Sequence, residues 1–239
     1  MENVPYEIIL QIMSHMGADQ IINYCKQNRY INTLCKQNRN LIAKYALQND
    51  YGFTRFTNNH NYASIIAYLI RVLEKEQRFV GNMVLRSGRS HIKKFNDMLI
   101  YATEDDRLDV LQFLVENGGD EINYGSLIME TISNDSVNVY RYLLEIILAD
   151  EEEGGEDVEE IFEEGAGLAF LFLSKRIVNY LINNHQDMLR NGFDYIIDLL
   201  EERRMYEIVD YVEKLRNATD MTSVESFDTF IENIRRGRV

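Results

Sequence analysis

The chain has 239 residues, 46% of them apolar and 27% charged, which is enough to bury a core in one or two domains. Its 25 basic and 39 acidic side chains leave a net charge of −14, and a surface of that sign repels phosphate, which argues against a general nucleic-acid coat. Every uncharged stretch falls short of the roughly twenty residues that a bilayer span needs. No secretory apolar region opens the sequence, and two cysteines are too few for a disulfide framework, so a soluble chain in a reducing, cytoplasmic compartment is expected.

One proline and no tryptophan mean few forced breaks, and apolar residues recur at spacings of three and four, so the expected class is all-α. Residues 1–50 carry a net charge of +1 and read as three short helices. Ile8, Ile9, Ile12, Met13 and Met16 form the first stripe. Pro5 can open that helix without losing a hydrogen bond, and Glu7 suits its positive end. Ile21, Ile22 and Cys25 mark a second helix, and Asn28, Ile31, Leu34 and Cys35 a third. The pentapeptide CKQNR occurs twice, beginning at Cys25 and at Cys35. On one continuous helix the two copies would share a face and gather Lys26, Arg29, Lys36 and Arg39; otherwise these residues form a solvated face. Cys25 and Cys35 are expected as small core residues, since a nucleophilic thiol needs a nearby base and a lowered pKa.

Residues 51–96 carry +6 and read as a basic helical connector or a first degenerate repeat. Ile65, Ile66, Leu69, Ile70 and Leu73 make a helical stripe, while Phe79–Leu85 is the best strand candidate in the chain. Arg71, Lys75, Arg78, Arg86, Arg89, His91, Lys93 and Lys94 could face an acidic peptide or a nucleic acid. Pairing with the protein's own acidic half ranks higher, because that surplus is covalently at hand.

Residues 97–239 carry −21 and contain four related blocks: DVLQFL from Asp109, NVYRYL from Asn138, RIVNYL from Arg176 and EIVDYV from Glu207. Each has a β-branched residue second, an aromatic fifth and an aliphatic sixth. A period near thirty residues is the mark of a helical solenoid, whose units must stack to bury their apolar faces. The longest interval holds Asp150–Glu164, with ten acids in fifteen residues, read as an exposed, mobile insertion that does not match a calcium loop. Breakers are placed at Gly17, Asn58–Asn59, Ser87–Gly88, Gly118–Gly119, Gly154–Gly155, Gly165 and Asn217. Thr222–Glu225 reads as a capping box for a last helix ending near Arg235.

Chemistry-bearing motifs are missing. His15, His60, His91 and His185 are scattered, the cysteines lack a C-x-x-C spacing, and Gly165-Ala-Gly167 lacks the third glycine and the preceding strand of a dinucleotide loop. No catalytic, cofactor-binding or metal-binding residue is therefore expected.

Two resemblances are carried by these residues. Val4–Leu47 resembles an F-box, with Val4, Pro5, Glu7, Ile8, Ile12, Met13 and Met16 on the positions of its opening pattern. The tryptophans common in that family are absent, and Tyr30 and Leu41 lie nearby instead. Asn96–Leu127 resembles an ankyrin repeat, with Met98–Ala102 in the first helix, Leu108–Glu116 in the second and Asn117–Asn123 in the turn; the Thr-Pro start is missing. The combination looks like proteins of large DNA viruses.

The resemblances imply an F-box-like helical module over 1–50, packed on an α-solenoid of degenerate ankyrin-like helix pairs over 97–239, acidic insertion included. They imply a non-enzymatic adaptor that needs no cofactor. Its first module would dock the F-box adaptor of a cullin-based ubiquitin ligase through Val4, Pro5, Ile8, Ile12, Met16, Ile21 and Ile22. The repeats would hold a target protein, in the host cytoplasm if the chain is viral. The alternative is a plain protein-binding scaffold, homodimeric through its apolar head and unconnected to ubiquitination. Neither reading includes a nucleic acid or a membrane as partner.

Overall fold

A computed structural model describes residues 4–51, 53, 60–69, 71, 91–117, 122–151 and 158–237. The expected strand at Phe79–Leu85, most of the basic stretch and the breakers at Asn58–Asn59, Ser87–Gly88, Gly118–Gly119 and Gly154–Gly155 lie outside them. The described residues are helical and contain no strand, so the chain is all-α. No helix among them is long and apolar enough to cross a membrane.

The chain forms two compact units, Met1–Met98 with Asp109–Glu121, and Leu99–Leu108 with Ile122–Val239. Their residue ranges interleave along the sequence. The reason within the first unit is aromatic: Phe113 meets Phe53 edge-on with centroids 4.8 Å apart and Tyr62 at 5.9 Å. Such contacts tie residues 109–121 to the N-terminal helices.

The first unit opens with α1 (Tyr6–Met13), α2 (Ala18–Cys25), α3 (Arg29–Gln37), α4 (Arg39–Tyr51) and α5, helical over residues 62–69. Pro5 stands at the N-cap of α1, and its carbonyl accepts the N–H groups of Ile8 and Ile9. The Gln20 side chain accepts the Gly17 N–H at 3.2 Å at the start of α2, and Asn28 accepts the Ile31 N–H at 2.9 Å at the start of α3. Side-chain amides then join the helices. Asn49 of α4 donates to the carbonyls of Ser14 and Met16, closing the end of α1. Asn40 of α4 donates to the His60 carbonyl and accepts the Ala63 N–H.

α2 and α3 are separate helices, because Asn28 leaves helical geometry to cap α3. The two CKQNR copies therefore do not share one helical face. The turn instead brings the α-carbons of Cys25 and Cys35 to 6.1 Å, and their sulfurs are bonded. This corrects the expectation of two separate core thiols.

α6 (His91–Glu104) and α7 (Leu108–Asn117) follow, then α8 (Tyr124–Ser133), α9 (Val137–Glu151), α10 (Val158–Leu171), α11 (Lys175–Asn184), α12 (Gln186–Glu202), α13 (Tyr206–Asn217) and α14 (Phe227–Arg235). In the second unit α8 packs on α9 and α10, α10 on α11 and α12, and α12 on α13.

Four of the turns between these helices are the same turn. Asp106, Asp135, Leu173 and Arg204 have φ values of 51°, 54°, 58° and 59°. In each, the next residue donates its N–H to the carbonyl five positions back: Arg107 to Ala102, Ser136 to Thr131, Ser174 to Ala169 and Met205 to Leu200, at 2.8–3.0 Å. The left-handed residue itself donates to the carbonyl three back. This is the Schellman geometry, normally closed by glycine. Each of the four sequence blocks begins three residues after its left-handed residue, and the second and sixth residue of every block is buried.

Other expectations are corrected. Gly165 does not break a helix; it lies inside α10. Nor is the acidic stretch wholly an insertion. Val158–Glu164 are the first turns of α10, where Val158 and Phe162 are buried and outweigh the carboxylates, while residues 152–157 lie outside the description. The last helix is capped by Ser226, not within Thr222–Glu225, because Asp220 first draws Met221–Ser223 into a 3₁₀ turn. Its end at Arg235 is as expected.

Candidate protein-interaction surface

The stripe read along α1 divides into two faces. Ile9, Leu10 and Met13 are buried in the first unit. Val4, Ile8 and Ile12 remain 46%, 46% and 40% exposed, and Pro5 and Tyr6 are exposed beside them. Eight residues cannot turn so many apolar side chains inward, since a helix buries one stripe. The surplus is an unpartnered apolar surface, with Ile8 and Ile12 one turn apart.

The other expected docking residues lie elsewhere. Met16 is half-buried beyond the end of α1, its carbonyl held by Asn49. Ile22 is exposed on α2, but Ile21 is only 4% exposed and belongs to the core. Tyr30 and Leu41 are both exposed.

A second feature was not legible in the sequence. Between α2, α4 and α5, with α3 at one end, runs an open apolar groove of about 440 Å³. Ile21, Ile22, Ile42 and Ile66 line it with Ala18, Ala43, Ala46, Ala63 and Ala67. The linked Cys25 and Cys35 also line it, as do Lys26 and Arg39. Both cations are exposed and have no ion pair among the described residues.

In the second unit, Ile100, Met129 and Tyr195 are exposed on α6, α8 and α12, each the first helix of a pair. Tyr195 lies over Gly167, where an added Cβ would come within 3.2 Å of the ring. Partial burial, then Glu164, Glu163, Glu160 and Glu202, push its hydroxyl pKa up. The surface around Tyr195 is anionic.

Two of the scattered histidines take up structural pairings. His60 Nε2 stands 2.7 Å from Glu116 Oε2, and His185 Nε2 stands 3.1 Å from the Tyr180 hydroxyl. No group of three or more metal-ligating side chains occurs among the described residues. No family model, curated protein or solved structure matches the chain.

Proposed function

We propose that this protein is a non-enzymatic interaction adaptor, an F-box-like receptor whose α1 face docks the adaptor of a cullin-based ubiquitin ligase while the helix pairs hold a target. The observation that carries the reading is the pair of faces on α1. Ile9, Leu10 and Met13 root the helix in the first unit, leaving Val4, Ile8 and Ile12 for another protein. Burying an isoleucine is worth roughly 1.5–3 kcal/mol, so a few such residues can anchor an interface.

The repeated turns support the other half of the reading. Helix pairs joined by one geometry form stacks whose first helices present a continuous face, and function there resides in surface residues. Ile100, Met129 and Tyr195 lie on such first helices, and the carboxylates near Tyr195 suit a target with basic residues.

The test is binding of the purified full chain to the purified ubiquitin-ligase adaptor, with Ile12→Asp as the comparison. Ile12 is 40% exposed, so the charge does not enter the core. Binding lost in the variant supports the reading. Folded wild-type protein that does not bind the adaptor, and instead runs as a dimer dissociated by Ile12→Asp, would replace it with a homodimeric scaffold.

A further inference from the structure

We propose that the groove between α2, α4 and α5 receives an amphipathic helix of a partner protein, with acidic residues along the flanks of its apolar face. The groove contains none of the α1 residues, though Ile21 and Ile22, expected at the adaptor interface, line it; the proposal does not rest on the adaptor reading.

Three observations lead there. The walls at Ala43, Ala46, Ala63 and Ala67 are small, and they leave a volume of about 440 Å³ that larger side chains would have filled. The groove is open along one side. A small molecule is usually enclosed over most of its surface, whereas a helix laid in a trough keeps its polar face in water. Finally, the groove's apolar lining is bordered by two cations, Lys26 and Arg39, and by no carboxylate among the described residues. Lys26 and Arg39 pair with none among the described residues.

The repeated CKQNR gains a role on this reading. Its first copy supplies Cys25 and Lys26, its second Cys35 and Arg39, and all four line the groove. The disulfide fixes α2 against α3, so one cation from each copy is held beside a pre-formed apolar floor.

The experiment is a selection of helix-constrained peptides of about four turns against the immobilised full chain. Affinities are then measured by fluorescence anisotropy on the wild type and three variants. Ala67→Glu is exposed and obstructs the groove; Lys26→Glu with Arg39→Glu reverses its charge; Ile12→Asp lies on α1. Circular dichroism melts confirm that each variant is folded. The expected binders carry apolar residues at i, i+3, i+4 and i+7 with Asp or Glu beside them. They weaken about tenfold or more on the first two variants and not on Ile12→Asp. The proposal is overturned if no binder emerges, if binders are basic or indifferent to the groove variants, or if only Ile12→Asp removes them. Wild-type binding of oleate without any peptide, or a dimer abolished by Ala67→Glu, would also overturn it, assigning the groove to a small amphiphile or to a second copy.

Discussion

Asp106 caps a helix of the next pair: its carboxylate accepts the main-chain N–H of Asn138 at 3.0 Å and the Asn138 side-chain amide at 2.8 Å. The Val139 N–H joins at 3.1 Å, so one side chain satisfies two free N–H groups at the start of α9. Asp135 repeats the arrangement one pair later, accepting the N–H groups of Arg176 and Ile177 at the start of α11. Arg176 then reaches back, donating to Asp106 at 3.0 Å and to the Asp135 carbonyl at 3.2 Å. Asp106, Asp135 and Arg176 thus link successive turns to one another.

Asp106→Ala removes a cap and keeps a non-glycine residue in left-handed backbone, so it should cost about 2 kcal/mol. Asp106→Asn, which tolerates that backbone and still accepts hydrogen bonds, should recover most of it. Urea titration followed by circular dichroism measures both, since the chain lacks tryptophan. Equal losses would show that the charge, not the cap, matters.

Arg204 occupies the same left-handed position without capping anything. Left-handed backbone costs an L-residue about 1–2 kcal/mol, and glycine forfeits about 0.5–1 in unfolded-chain entropy. Arg204→Gly should therefore stabilise by about 0.5–1 kcal/mol, whereas Asp106→Gly should destabilise because the cap is lost. The opposite signs are readable as shifts in thermal midpoint.

Ser136 and Ser174 follow the left-handed residues of successive turns, and both are buried. Ser174 Oγ donates to the Ile132 carbonyl at 2.5 Å, while Ser136 Oγ has no partner among the described residues. Ser174→Ala should cost about 1 kcal/mol, and Ser136→Ala should be neutral or slightly stabilising. Denaturation of the matched pair checks it. A cost for Ser136→Ala as large as for Ser174→Ala would contradict the assignment.

His185 closes α11 and opens α12. Burial pushes its pKa below the ordinary 6.5, and Glu145 opposes this. The unfolded chain then binds the proton more readily, so His185's contribution is present above pH 6.5 and is lost as pH falls through the depressed value. His185→Gln should flatten the dependence of stability on pH just below 6.5, where most carboxylates are still ionised. An unchanged slope would place the proton-linked group elsewhere.

Cys25→Ser with Cys35→Ser should cost the first unit about 2–3 kcal/mol, because the bond closes a short loop in the unfolded chain. Hydrogen exchange should show faster opening of α2 and α3, with α8–α13 unchanged. Faster exchange in α8–α13 as well would mean that the units unfold together.

Much of the paired-helix region was legible from sequence. The four blocks mark the second helices because position, not identity, repeats: residues two and six of each must be buried. The turns were hidden because Asp, Asp, Leu and Arg stand where glycine is expected, and glycine is what a sequence search for breaks detects. The true breaks lay three residues before each block.

By itself, then, the sequence determined the helical class, the period of the pairs and the excess of apolar residues on α1. Those properties are local, set by spacing along one helix. Only the tertiary structure decided which α1 residues face outward, that Ile21 turns inward, that Cys25 meets Cys35, and that one cation from each CKQNR copy shares a groove. These depend on how separate helices pack, and a single helix's periodicity does not determine which of its faces another helix will cover.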